Sequence, residues 1–196
     1  MDINKEKIYK ILAETTNQIS QGEVLQLIVK GKIIDDIDKY LNIIYLKTGK
    51  LFEASAAVAS ELAGGEYSER AKLFGKNFGI AYQLRNDYLD YFGEESEKGK
   101  NIIEDLSEGK STLPLIHSYL KSNEDDKNNL LEIFEGKILS KSDIMLEIFR
   151  RNKSDIYTKN KIKEYSDNAI KSLDVFSGDA KKSLIDLTNF CSQRIK

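Results

Sequence analysis

Three observations predict an all-α protein. The chain has one proline in 196 residues, so little interrupts a continuous helical hydrogen-bond ladder. Apolar residues recur every three to four positions instead of alternating. Ile, Leu, Lys and Glu are abundant and Trp is absent, a composition that favours helix. Internal repeats, low-complexity tracts and compositional breaks are all missing from the sequence. Residues 1–196 are therefore expected to form a single helical domain.

The first helix is predicted from about Ile3 to Val29, with Ile8, Ile11, Leu12, Thr15 and Ile19 on one stripe. Lys30-Gly31-Lys32 breaks it. The second runs from about Ile37 to Leu62 and stops at Gly64-Gly65, a C-cap signal. The third starts at Ser68, read as an N-cap, and continues past Asp90 toward Gly93. Residues 94–111, EESEKGKNIIEDLSEGKS, read as a polar loop. Pro114 suits the first turn of the next helix. Asn123 opens another, and Glu124, Asp125 and Asp126 favour its N-terminal dipole; Gly136 closes it. Three further helices are predicted at about 142–151, 154–174 and 178–195. Ile144 and Ile148, then Tyr165, Ala169 and Leu173, then Leu184, Leu187 and Cys191 carry their spacing.

The charge balance, 30 basic against 32 acidic residues, argues against general nucleic-acid binding. The single cysteine, Cys191, rules out an internal disulfide and reads as a buried thiol. Met1 leads into DINKEKIYK without an apolar signal region. The most apolar run, LFEASAAVASELAGG, is broken by Glu53 and Glu61, so no membrane span is expected. A cytoplasmic protein is the resulting expectation. His117, beside Leu115 and Ile116, reads as a packing residue.

Function is concentrated in GIAYQLRNDYLD, residues 79–90. On a helix, Gln83, Asn86, Asp87 and Asp90 share one face. Gly79 lies one turn before them and permits close approach. Clustered carboxylates repel unless a cation sits among them. Mg2+ suits such a column, because it takes few carboxylates and completes its shell with water and phosphate oxygens. A solvated polar face is the alternative, but Phe74, Phe78, Ala81, Tyr82, Leu84, Tyr88 and Leu89 leave little room for one. Opposite charge comes from Lys98, Lys100 and Lys110 beside glycines, with Asp105 between them. Lys47-Thr48-Gly49 adds an ammonium and a hydroxyl, with an ordinary snorkelling surface lysine as the equal alternative for Lys47.

Four motifs occur in order: Lys47-Thr48-Gly49-x-Leu51-Phe52; Gly79-x-x-x-Gln83-x-x-Asn86-Asp87-x-x-Asp90; Gly99-Lys100; and Asp105-Leu106-x-Glu108-Gly109-Lys110-x-Thr112-Leu113-Pro114. Together they resemble the C-terminal half of a trans-isoprenyl diphosphate synthase, of the polyprenyl synthetase family. The resemblance implies the corresponding half of the helical isoprenoid/terpenoid synthase fold. It also implies condensation of isopentenyl diphosphate with an allylic diphosphate, assisted by Mg2+. Asp87 and Asp90, with Asn86 and Asp105, would serve the metal. Lys47, Thr48, Lys100 and Lys110 would hold diphosphate, and Lys47, Thr48, Gln83 and Asp87 would form the catalytic set.

Three departures from the family pattern stand out. The family's first aspartate-rich motif has no counterpart; Asp35-Asp36-Ile37-Asp38 reads as a helix start. Its Gly-Gln-x-x-Asp motif appears as Gly22-Glu23-Val24-Leu25-Gln26. Asn86 stands where an aspartate usually opens the second motif. Catalysis is therefore expected to need a homo- or hetero-oligomer in which another chain supplies the first motif. A non-catalytic regulatory subunit, an inactive truncation and an unrelated helical binding module are the alternatives.

Overall fold

The computed structural model describes residues 5–93, 109–136 and 142–193. Every regular element among them is helical. In chain order they are α1 (Lys5–Val29), α2 (Ile37–Ile44), a π-helical turn (Tyr45–Gly49), α3 (Lys50–Leu62), α4 (Ser68–Phe92) and α5 (Leu113–Lys121). There follow α6 (Glu124–Phe134), α7 (Ser142–Arg151), α8 (Ser154–Ser172) and α9 (Gly178–Gln193). The all-α expectation holds, and most boundaries fall within two residues of the predicted ones.

Two details differ. The helix predicted from Ile37 to Leu62 is divided by the π turn, whose wider winding presses Gly49 against α4. Ser68 is not the cap of α4: the Ala71 N–H bonds to the Tyr67 carbonyl at 2.9 Å, which makes Tyr67 the cap. Other end signals act as read. Asp36 Oδ1 accepts from the Asp38 and Lys39 N–H groups at 2.9 and 3.2 Å, so the acidic cluster there is a helix start. Asn123 Oδ1 accepts from Asp126 N–H at 2.9 Å. Gly65 N–H reaches back to the Ser60 carbonyl at 2.8 Å, closing α3.

The chain groups into two compact units, neither continuous in sequence. The first comprises Met1–Leu25, Asn42–Gln83 and Ile162–Arg194. Its buried centre joins Phe74 and Phe78 of α4 to Ala169 of α8, to Leu173 in the turn after it and to Cys191 of α9. Phe52 of α3 meets Phe78 edge-on at 5.2 Å. Cys191 is buried and forms no disulfide. Arg70 ties α4 to the end of α8, donating to the Lys171 carbonyl at 2.8 Å and pairing with Asp174.

The second unit comprises Gln26–Leu41, Leu84–Lys161 and Ile195–Lys196. Its centre is built from Tyr91, Leu115, Leu130, Ile133, Phe134, Met145, Ile148 and Phe149. His117 belongs to its packing. Nδ1 lies 2.8 Å from Ser154 Oγ, and the ring stacks on Tyr157 at 4.1 Å. Burial, and then nearby Lys121, lower its pKa below the ordinary value. Since the unfolded chain then takes up the proton first, stability is expected to be full above the unfolded histidine pKa of about 6.5 and to decline as pH falls below it. Urea titrations between pH 7.5 and 5 would show this decline, and His117→Gln should flatten it.

Candidate diphosphate and metal site

In the first unit, three glycines set the position of Lys47-Thr48. A Cβ on Gly22 would meet the Lys47 backbone N at 2.7 Å, so α1 lies directly against the π turn. A Cβ on Gly79 would meet the Gly49 Cα at 2.7 Å and the Phe52 ring at 3.0 Å. Gly49 itself leaves only 3.0 Å to the Tyr45 ring. Such approaches are open to glycine alone. The crossing they allow brings Thr48 to Gln83, whose Oε1 accepts from Thr48 Oγ1 at 3.2 Å. Lys47 Nζ lies 3.1 Å from Glu23 Oε2, with both side chains partly exposed.

In the second unit, Asp87 is buried at 6 % exposure and accepts a hydrogen bond from the Tyr40 hydroxyl. Tyr40 is itself buried. Burial, followed by the Asp87 carboxylate, pushes its hydroxyl well above the usual tyrosine range, while a hydrogen bond with the Leu113 backbone acts the other way. Tyr40 therefore stays protonated and holds one Asp87 oxygen in place. Beside this pair, Thr112 Oγ1 donates to the Tyr91 hydroxyl at 3.1 Å. Asn86 Oδ1 lies 3.5 Å from Arg85 Nη1. Asn86 and Asp90 are half-buried, whereas Asp87 is buried.

Lys110 is half-buried and follows a tethered turn. Gly31 N–H donates to the Gly109 carbonyl at 3.0 Å, and Ile34 N–H donates to Ser111 Oγ at 3.0 Å. Gly109 adopts a positive φ of 65° and leaves 2.9 Å to the Gly31 N, so the glycine is required there. Lys98, Lys100 and Asp105 lie outside the described residues. Tyr82, grouped with the buried residues by sequence, is instead at the surface at 36 % exposure.

The candidate residues thus form two sets, Lys47, Thr48 and Gln83 in one unit and Asn86, Asp87 and Asp90 in the other. Gln83, Asn86, Asp87 and Asp90 follow one another along α4. Sequence reasoning missed Tyr40 and Glu23. Tyr40 lies 47 residues from Asp87, and nothing local marks it. Glu23 was visible only as a charge in the Gly22-Glu23 motif.

Among the described residues, no three His, Cys, Asp or Glu side chains converge as a metal site. The donors present are carboxylate and amide oxygens, with one Asp87 oxygen already engaged by Tyr40. That set fits a hard cation that keeps much of its shell as water and ligand phosphate, as Mg2+ does.

A family model described as polyprenyl synthetase matches residues 1–151. The chain belongs to the polyprenyl synthetase family. Among curated family members, the octaprenyl diphosphate synthase of Haemophilus influenzae is 35 % identical over 92 % of this chain and 56 % of its own length. The geranylgeranyl diphosphate synthase of Saccharolobus solfataricus is 31 % identical over 97 % of this chain and 59 % of its own. The chain therefore spans somewhat more than half the length of these polyprenyl synthetases. Solved structures agree. A decaprenyl diphosphate synthase from Rhodobacter capsulatus superposes with a TM-score of 0.87 at 26 % identity, covering 97 % of this chain and 60 % of the other. A polyprenyl synthase from Caulobacter crescentus, complexed with calcium and isoprenyl diphosphate, gives 0.87 at 30 % identity with the same coverage. The fold is that of the isoprenyl diphosphate synthases. No helix among the described residues is long and apolar enough to cross a membrane.

Proposed function

We propose that this chain supplies the diphosphate-binding and metal-binding part of a prenyl diphosphate synthase, which joins isopentenyl diphosphate to an allylic diphosphate. The observation that carries this reading is the Thr48–Gln83 hydrogen bond at the Gly49–Gly79 crossing. Two motifs separated in sequence meet there with little freedom. The Caulobacter structure, solved with a divalent cation and an isoprenyl diphosphate, supports the ligand class.

On this reading Lys47 and Lys110, with Lys100, bind the allylic diphosphate, and the Thr48 hydroxyl orients it. As the carbon–oxygen bond to the diphosphate breaks, negative charge grows on the leaving group. Fixed ammonium groups stabilise that charge more than the ground state. Asp87 and Asp90, with Asn86 and Asp105, hold Mg2+, which neutralises diphosphate charge when bound. Tyr40 keeps the Asp87 carboxylate in one orientation.

A partner chain, identical or different, is part of the proposal. Exposed apolar side chains support it: Tyr9, Leu12 and Val24 on α1 and Leu51 on α3. Leu12, Ile19, Leu51, Ala54 and Val58 line an apolar groove of about 290 Å³ between these helices. A non-catalytic regulatory subunit is the second reading, favoured by Asn86 and by Gln26 at the aspartate position of the Gly22 motif. The reaction would take place in the cytoplasm.

The test is binding of inorganic pyrophosphate in the presence of Mg2+, followed by calorimetry. Lys47→Ala is expected to weaken binding about tenfold, the usual scale for one charge-assisted contact. Asp125→Ala, on the exposed first turn of α6, should leave it unchanged. Equal behaviour of the two variants would overturn the site. Isopentenyl incorporation by the chain alone is expected to be absent, and robust product would remove the partner from the proposal.

A further inference from the structure

Lys47 meets a carboxylate before it meets any ligand. Its ammonium lies 3.1 Å from Glu23 Oε2, and the geometry of that contact is built in by the neighbouring residue. Gly22 presses α1 against the Lys47 backbone, where a Cβ would leave only 2.7 Å, so residue 23 is delivered beside the lysine side chain. The pair is partly open to solvent, with 36 % of the Lys47 side chain and 50 % of the Glu23 side chain exposed. Such a pair adds little to folding stability. It has a different consequence for an anion. A diphosphate reaching Lys47 must displace or share the ammonium with Glu23 and must then tolerate a carboxylate a few ångströms away.

We propose that Glu23 is an affinity-determining residue of the Lys47 subsite, holding its grip on diphosphate below what the lysine alone would give. The inference rests on the reading of Lys47 as a diphosphate ligand. The chemistry is competition between two anions for one cation, and it requires a charged side chain at 23. A glutamine there keeps the size and hydrogen-bonding capacity but removes the competing charge. With one negative charge removed at short range from a multiply charged anion, binding should tighten about three- to tenfold at low salt. Screening should shrink that gain as ionic strength rises.

The experiment is calorimetric titration of the full chain with inorganic pyrophosphate in excess Mg2+, using the native protein, Glu23→Gln, Lys47→Ala and the double variant, with thermal unfolding of each to confirm folding. The expected result is tighter binding by Glu23→Gln, weaker binding by Lys47→Ala, and no gain from Glu23→Gln once Lys47 is gone. A gain that persists in the Lys47→Ala background would show a general charge effect and overturn the proposal. An unchanged Glu23→Gln alongside a weakened Lys47→Ala would overturn it while leaving the Lys47 subsite standing. Pyrophosphate binding indifferent to Lys47→Ala would remove the subsite and the proposal together.

Discussion

Asp87→Ala is expected to abolish Mg2+-dependent pyrophosphate binding and to lower stability by about 2–3 kcal/mol. Both effects follow from one side chain. The residue is 6 % exposed, and its carboxylate accepts a hydrogen bond from the Tyr40 hydroxyl, which is buried as well. Removing the carboxylate leaves that hydroxyl without its charged acceptor in a place water does not readily reach. On the proposed reading it also removes an oxygen that would hold Mg2+. Tyr40→Phe separates the two consequences. It keeps the carboxylate but frees its orientation, so cation affinity should fall about tenfold and not vanish, as for other residues that support metal ligands. Mn2+ binding followed by electron paramagnetic resonance, beside urea unfolding, reads both quantities. If Tyr40→Phe left Mn2+ affinity unchanged, Tyr40 would be a stability residue only.

Gly79→Ala has the second largest expected effect. In an open helix the change would stabilise by about 1 kcal/mol, because glycine is the poorer helix former. Here the new methyl would sit 2.7 Å from the Gly49 Cα, a backbone atom that cannot rotate away. Opening the crossing should cost about 1–3 kcal/mol, enough to outweigh the propensity gain. The same opening would separate Thr48 from Gln83, so pyrophosphate binding should weaken with stability. Adding Phe52→Leu relieves the contact at 3.0 Å with the ring but not the one with Gly49, and is expected to give no rescue. Full recovery in the double variant would place the constraint in the side chain and not in the helix crossing.

These two cases show what was legible in the sequence and what was not. Gly79 could be read as a site of close approach because it precedes Gln83 by one turn on the same face. Its partner, Gly49, could not be paired with it, since the contact joins residues 30 positions apart through a π turn that apolar spacing does not announce. Asp87 could be read as a ligand from its spacing to Asp90. The Tyr40 hydroxyl that fixes it comes from a helix whose own pattern shows only an apolar aromatic residue. The Lys47-Thr48 motif was legible, but its ion pair with Glu23 depends on how α1 lies against the turn.

The helices, most of their ends, the family and the motifs that nominate the candidate residues can all be read along the chain. Those properties are local: periodicity over a few turns, a capping side chain, a glycine after the last turn, and motifs within a dozen residues. Which groups meet is set by the packing of the helices. The Tyr40–Asp87 hydrogen bond, the Gly49–Gly79 approach and the Glu23–Lys47 pair each join segments far apart in the chain. They exist because packed helices can cross only where their side chains leave room.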